Sequence, residues 1–300
     1  MGSLRKRITD TLLHVFERHD LSQFEHMPTS SVPIYGVYHV FCDKGWERIV
    51  ERQVNVLRES GLLEATSRLC VSLIVKDDSD VEKFKRIAAT DKLDIISCSR
   101  NPLRYEYPAL EYVKTLSAQK DCYIYYFHTK GISYQTTESK DRSFLSFKRK
   151  IVSWCEMMEY FCFSKWQVAV NVLSQGYDTY GCYRWPPRNY TMYSGSFWWA
   201  SSAYVRTLPD FIPEVIATDR FYSEIWLYQR SCKDFSAFDT VADLYFVNIP
   251  PSIYRDGQPR WWDVVRFVAV YNWRKFLKHA FGYNYKYQCQ KKFQKIRSRQ

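Results

Sequence analysis

Residues Tyr123 to Phe127 put five apolar or aromatic side chains in a row, with no polar residue to supply a solvent face. Successive strand residues point to opposite faces, so such a run needs cover on both sides, as in the middle of a parallel sheet. The run then stops in His128, Thr129, Lys130 and Gly131. In open α/β sheets the ligand crevice lies beyond the carboxyl ends of the strands. A His, a Lys and a Gly there suit an anion such as a phosphate. They also suit an ordinary turn, and both readings stand at this point.

The flanking sequence says what kind of sheet this is. Ile34–Phe41 reads as a strand, and Gly45–Ser60 as a helix with Trp46, Ile49, Val50, Val54 and Leu57 at three- and four-residue steps, closed by Gly61. Leu69–Val75 is a second strand, Asp77–Asp80 caps a helix running to about Ala89, and Leu93–Cys98 is a third strand. Pro108–Ala118 is helical and Asp121–Phe127 is the fourth strand. This β-α-β-α-β-α-β order predicts an α/β fold, with a Rossmann-type, mostly parallel sheet flanked by helices. Neither GxGxxG nor a Walker loop follows the first strand, which disfavours dinucleotide dehydrogenases and P-loop NTPases.

Beyond Gly131 the polar stretch from Ile132 to Arg142 suits a flap. Helix is expected over Phe144–Ser174 with an interruption near Ser164, then a short strand over Tyr180–Arg184 turned by Pro186 and Pro187. Tyr193–Ala200 reads as an aromatic strand, Ser201–Leu208 and Thr218–Arg230 as helices, and Asp239–Val247 as a strand ended by Pro250 and Pro251. A helix is also expected over Leu4–His19. The domain plan is a polar lead-in over 1–33, one α/β domain over 34–259, and a basic, aromatic, helical extension over 260–300.

The charge is uneven. From Arg260 to Gln300 eleven Lys and Arg face one acid, Asp263, a balance of +10; the total is +11, which leaves about +1 for the first 259 residues. A nucleic-acid-binding core would carry its own basic face, so nucleic acid is a disfavoured partner, reachable only through the tail. The tail also crowds Trp261, Trp262, Phe267, Trp273 and Phe276, which suits peripheral contact with an anionic membrane. The nine cysteines are odd in number, scattered and without a CxxC pair, as expected for reduced thiols. With no apolar run long enough to span a bilayer, a cytoplasmic protein is expected, peripheral on a membrane at most.

Taken together, these pieces resemble the GT-A glycosyltransferases: a parallel αβ half, a polar motif ending the fourth strand, an aromatic strand containing glycine, and a helix carrying Asp, Arg and then Glu. His128-Thr129-Lys130-Gly131, with Gly195-Ser196-Phe197-Trp198-Trp199-Ala200 and Glu224-Ile225-Trp226, resembles a glycosyltransferase-like family of polysaccharide and capsule assembly. The resemblance covers residues 34–250 and departs at Ser196, where Asn is expected. It implies a nucleotide-sugar donor and a glycan or lipid-linked acceptor.

The resemblance also assigns roles. His128, Thr129, Lys130, Gly131 and Asp78 are expected at the donor. Gly195, Ser196, Phe197, Trp198, Trp199 and Arg220 are expected at the sugar or acceptor. Glu224 is the first choice for general base and Asp219 the second. Metal-dependent members hold the donor diphosphate through an Asp-x-Asp and a divalent cation (Mn²⁺ or Mg²⁺) at the end of this strand. Here His128-Thr129-Lys130 stands in that place, and a lysine can neutralise diphosphate directly. The rival metal site is Asp78-Ser79-Asp80, which equally reads as a helix cap. Three functions are compatible with this sequence: a glycosyltransferase, a catalytically idle carbohydrate-binding scaffold on the same fold, and a nucleic-acid binder acting through the tail.

Overall fold

The computed structural model describes residues 14–298. In chain order the strands are β1 (Phe16–Arg18), β2 (Ile34–Phe41), β3 (Thr66–Ile74), β4 (Leu93–Ser99), β5 (Tyr123–His128), β6 (Thr179–Gly181), β7 (Arg184–Trp185), β8 (Met192–Tyr193), β9 (Trp198–Ser201), β10 (Asp234–Ser236) and β11 (Phe238–Thr240). The helices are α1 (Glu47–Glu59), α2 (Leu62–Ala65), α3 (Asp78–Ala88), α4 (Tyr107–Gln119), α5 (Ile132–Gln135), α6 (Arg142–Glu159), α7 (Trp166–Ser174), α8 (Ser202–Thr207), α9 (Pro213–Thr218), α10 (Tyr222–Ile225), α11 (Pro251–Tyr254), α12 (Trp261–Phe281) and α13 (Tyr285–Arg297).

The chain forms two compact units, and they divide it differently from the expected 34–259 domain and 260–300 extension. One unit holds 19–132 and 158–237; the other holds 133–157 and 238–298 together with 14–18. The first unit carries a seven-stranded sheet in the order β10-β6-β9-β5-β2-β3-β4. Its β4-β3-β2-β5 half is parallel, as the alternating sequence predicts, and β9 runs antiparallel to both β5 and β6. On one face Val37, Ile124, Tyr126, Trp198 and Ala200 pack with Ala109, Leu110 and Val113 of α4 and Val205 of α8. On the other, Tyr125 and Phe127 meet Tyr38, Phe163 and Trp199. Both faces of β5 are therefore covered, which is why its sequence lacks polar alternation.

Gly36 sits in the middle of this packing. A Cβ there would come within 2.4 Å of the Tyr125 ring, whose hydroxyl reaches Thr66 Oγ1 at 3.0 Å. The helical stretch after Arg142 breaks into a π-turn at Tyr160–Ser164, where the sequence predicts an interruption.

Several elements differ from expectation. Of the helix expected over Leu4–His19, residues 1–13 lie outside the described residues, and Phe16–Arg18 is strand, paired with β11. Ser194–Phe197 is a turn rather than strand, and only Trp198–Ser201 joins the sheet. The helix expected over Thr218–Arg230 is split into the end of α9, a bend at Asp219–Phe221, α10 and a 3₁₀ turn. The strand expected over Asp239–Val247 is short, and β10 just before it completes the sheet edge.

In the second unit β1 and β11 form a two-stranded ladder. Phe147 of α6 stacks on Phe293 of α13 at 4.4 Å, and Trp154 meets Tyr245 edge-on at 4.7 Å. The tail beyond Trp261 is thus two helices, α12 and α13, built into this unit.

Candidate functional site

The carboxyl ends of β2 and β5 lie side by side, with His39 opposite His128 in the ladder. Both histidines are buried, at 4% and 6% exposure. The alternation that puts Val37 and Tyr126 into the α4 face puts these two imidazoles on it as well. α4 begins just beyond β4 and its chain neighbour Glu106 faces them. Glu106 Oε1 lies 2.6 Å from His128 Nδ1, and Ser223 of α10 donates to Glu106 Oε2 at 2.9 Å. At the amino end of α4 a carboxylate also meets the positive end of the helix dipole.

The electrostatics follow from burial and pairing. Burial alone would push the Glu106 carboxyl up; His128, its hydrogen bond, His39 and Lys130 outweigh it and hold the group well below the usual carboxylate range. An ionised carboxylate only accepts, so His128 Nδ1 is the donor in this pair. That leaves His128 Nε2 buried and without a hydrogen-bond partner, as are His39 Nδ1, Tyr126 Oη and Ser196 Oγ. Burial lowers His39 to about 4, offset in part by Glu106, so it is neutral at pH 7. Burial, followed by the charges of Glu106 and Glu224, drives the Tyr126 hydroxyl well above its usual value. Four buried polar atoms without partners thus lie on neighbouring strand and turn positions, where native proteins satisfy most such groups.

The backbone around the pair is held in unusual conformations. Tyr105, next to Glu106, has φ +45°, and Ser196 has φ +54°. Such residues cost of order 1–3 kcal/mol each and gather at functional sites. Gly195, at φ +94°, takes the third position of a turn closed by Ser196 N–H donating to Tyr193 O at 3.0 Å. That turn delivers Phe197 edge-on to the His128 ring, centroids 5.9 Å apart.

Of the residues expected from sequence, the structure gathers His128, Lys130, Ser196, Phe197 and Glu224 around this place. Lys130 and Glu224 are half-buried, and their charges act on Glu106 and Tyr126 respectively. Others have different work. Thr129 is turned into the sheet, its Oγ1 accepting from Phe41 N–H at 3.0 Å, and Gly131 turns the chain at φ +70°. Trp198 stacks on Tyr126 at 5.0 Å, and Trp199 is wholly buried, donating to Cys162 O at 2.8 Å. Both tryptophans are core residues rather than a sugar floor. Asp219 is exposed, with Oδ1 accepting from Phe221 N–H at 2.8 Å, and Arg220 is exposed over the Tyr105 ring at 5.6 Å.

The Asp78 and Asp80 pair does not fit a metal. Asp80 Oδ2 accepts from Lys76 N–H at 2.9 Å and completes the capping box with Asp77. Asp78 is exposed and pairs with Arg100 at 2.9 Å. Among the described residues, no group of three or more His, Cys, Asp or Glu converges as ligands.

Sequence reasoning missed Glu106, His39, Ser223 and Tyr126. Glu106 lies 22 positions from its partner and reads locally as a first-turn acid. The available signal was its place: the loop after the third strand opens on the same edge as the loop after the fourth. No protein-family model matches this chain, and no curated protein matches it either.

Proposed function

We propose that the chain is a glycosyltransferase that moves a sugar from a nucleotide-sugar donor to a glycan or lipid-linked hydroxyl. The observation that carries the reading is the Glu106–His128 pair at the end of β5, with His128 Nε2 buried and unpartnered. In this reading the acceptor hydroxyl gives its proton to Glu224 as the new bond to the anomeric carbon forms and the bond to the diphosphate breaks. His128, fixed by Glu106, meets the leaving diphosphate through Nε2, and Lys130 adds a positive charge. Glu106 positions the imidazole rather than touching substrate. The resemblance of residues 34–250 to GT-A enzymes, the mixed sheet and the Gly195 turn at its crevice support the same reading.

The test is a thermal-shift panel of UDP, GDP, CMP and their sugars, each with Mn²⁺ and with EDTA, followed by a transfer assay. The reading expects one nucleotide to bind in EDTA, binding to weaken in Lys130→Ala, and turnover to collapse in Glu224→Gln. Absence of binding across the panel overturns it. Binding without turnover selects the idle carbohydrate-binding scaffold. Binding only with Mn²⁺ removes the assignment of the diphosphate to protein cations alone.

The exposed stripe on α12 favours peripheral contact with an anionic membrane, which suits a lipid-linked acceptor. Trp262, Trp273 and Phe276 are 73%, 59% and 51% exposed and recur on one face of a helix rich in Lys and Arg. No helix among the described residues is long and apolar enough to cross a membrane. Flotation with anionic vesicles should be lost on Trp262→Ser with Trp273→Ser; retention of flotation rules this contact out.

A further inference from the structure

The second unit contains a cavity of about 460 Å³ that the transfer chemistry does not use. Its wall carries Arg149 and Lys150 of α6, Arg266 and Arg274 of α12, Tyr285 of α13 and Asn248. Among the described residues, none that lines it is Asp or Glu. Lys150 is 7% exposed, and its ammonium donates to a neutral partner, Tyr285 Oη, at 3.3 Å. Arg274 stacks over the same ring at 3.9 Å, and its Nη1 is buried with no hydrogen-bond partner. Burial and the neighbouring Arg274 and Arg149 pull Lys150 down to about 8, and burial pulls Arg274 below its ordinary range.

Proteins seldom bury cations without an anion, because desolvation is repaid only by an opposite charge. Here Lys150 is buried and Arg274 half-buried, the exposed Arg149 and Arg266 stand beside them, and among the described residues no carboxylate lines the cavity. A buried guanidinium N–H without an acceptor is an open hydrogen bond. The missing partner must bring several acceptor oxygens and more than one negative charge, which is the chemistry of phosphate. The volume suits one small ligand or headgroup and not a polymer.

We propose that this cavity binds a phosphate group, carried either by a soluble diphosphate or by the headgroup of a lipid. The site is separate from the nucleotide-sugar reading and stands if that reading fails. Its neighbour on α12 is the exposed stripe of Trp262, Trp273 and Phe276, so a phosphate held here and an apolar surface held there share one helix.

The test uses the full chain carrying Lys130→Ala, which removes the expected diphosphate contact at the strand ends. Sodium pyrophosphate is titrated calorimetrically. In parallel, the chain is floated with phosphatidylcholine vesicles containing phosphatidic acid and with vesicles containing phosphatidylserine at equal surface charge. Arg274→Gln and Arg266→Gln are compared with the parent. Arg266 is exposed, so its variant stays folded even where Arg274→Gln does not.

Saturable pyrophosphate binding that weakens by roughly tenfold or more in either variant supports the site with a soluble ligand. A preference for phosphatidic acid over phosphatidylserine that both variants lose supports it with a lipid. Pyrophosphate binding that is absent, or unchanged in every variant that folds, together with equal flotation on both vesicle types, overturns it.

Discussion

The two units treat buried charge in opposite ways. In the sheet unit two carboxylates have donors built for them: the half-buried Glu106 takes His128 Nδ1 at 2.6 Å, and Glu159, 2% exposed, takes Arg52 at 2.8 Å. In the helical unit Lys150 and Arg274 are drawn inward onto a tyrosine, with further cations beside them. The first arrangement is complete in itself and holds an imidazole still. The second is complete only with an anion from outside. A buried ion therefore has two meanings: orientation of a reacting group where it is matched, and demand for a ligand where it is not.

The largest effect is expected at Glu106. Glu106→Gln should lower transfer by about 10²- to 10⁴-fold in a steady-state assay, because His128 loses the charge that fixes its donor side. Its pH–rate profile should change shape, with Glu106→Asp recovering part of the rate. An unchanged profile would reduce the pair to a structural role. Next in size, Arg52→Met should cost about 3 kcal/mol or more in urea unfolding, since it strips the cation from a buried carboxylate.

Stability also depends on pH through the same cluster. His39 is lowered from 6.5 to about 4, so the unfolded chain binds its proton first. Its contribution is fully present above pH 6.5 and is lost as pH falls towards 4, a cost of at most about 3 kcal/mol. Glu106, depressed from 4.5, adds a further loss below that value. Thermal melts of His39→Gln should be flatter than the parent between pH 6.5 and 4; parallel curves would contradict this. The smallest effect belongs to the helical unit. Lys150→Met should be neutral or stabilising, by about 1 kcal/mol, in phosphate-free buffer. Destabilisation by several kcal/mol would mean that the ammonium is already matched.

What the sequence discloses depends on how local the cause is. β2, β3 and β5 are legible because a run of apolar residues needs no distant partner to be recognised. The α3 cap is legible because Asp77, Ser79 and Asp80 satisfy one another within one turn. The Gly195 turn was hidden inside an aromatic run that alternates plausibly as strand. The bend at Asp219–Phe221 was hidden because Asp219 caps Phe221 N–H through its side chain, a contact that competes with helix. At the site, His128 and Lys130 stood out because they end a strand. Glu106 did not, since an acid before a helix needs no further explanation until its partner is seen. Lys150 and Arg274 are far apart in sequence, so the basic cavity has no local signature; only the charge of the tail hinted at it.

One feature of the sheet bears on how the chain is made. Strands β2 to β5 lie within residues 34–128 and pair as parallel neighbours, yet the outer edge of β5 is covered by β9, which ends at Ser201. During synthesis the half-sheet can assemble while Tyr123–Phe127, apolar on both faces, still offers an open row of N–H and C=O groups. Such an edge invites pairing with another chain. A polypeptide that stops before Trp198 should therefore self-associate, and the wait for β9 sets an interval in which a nascent chain depends on being kept apart from its copies.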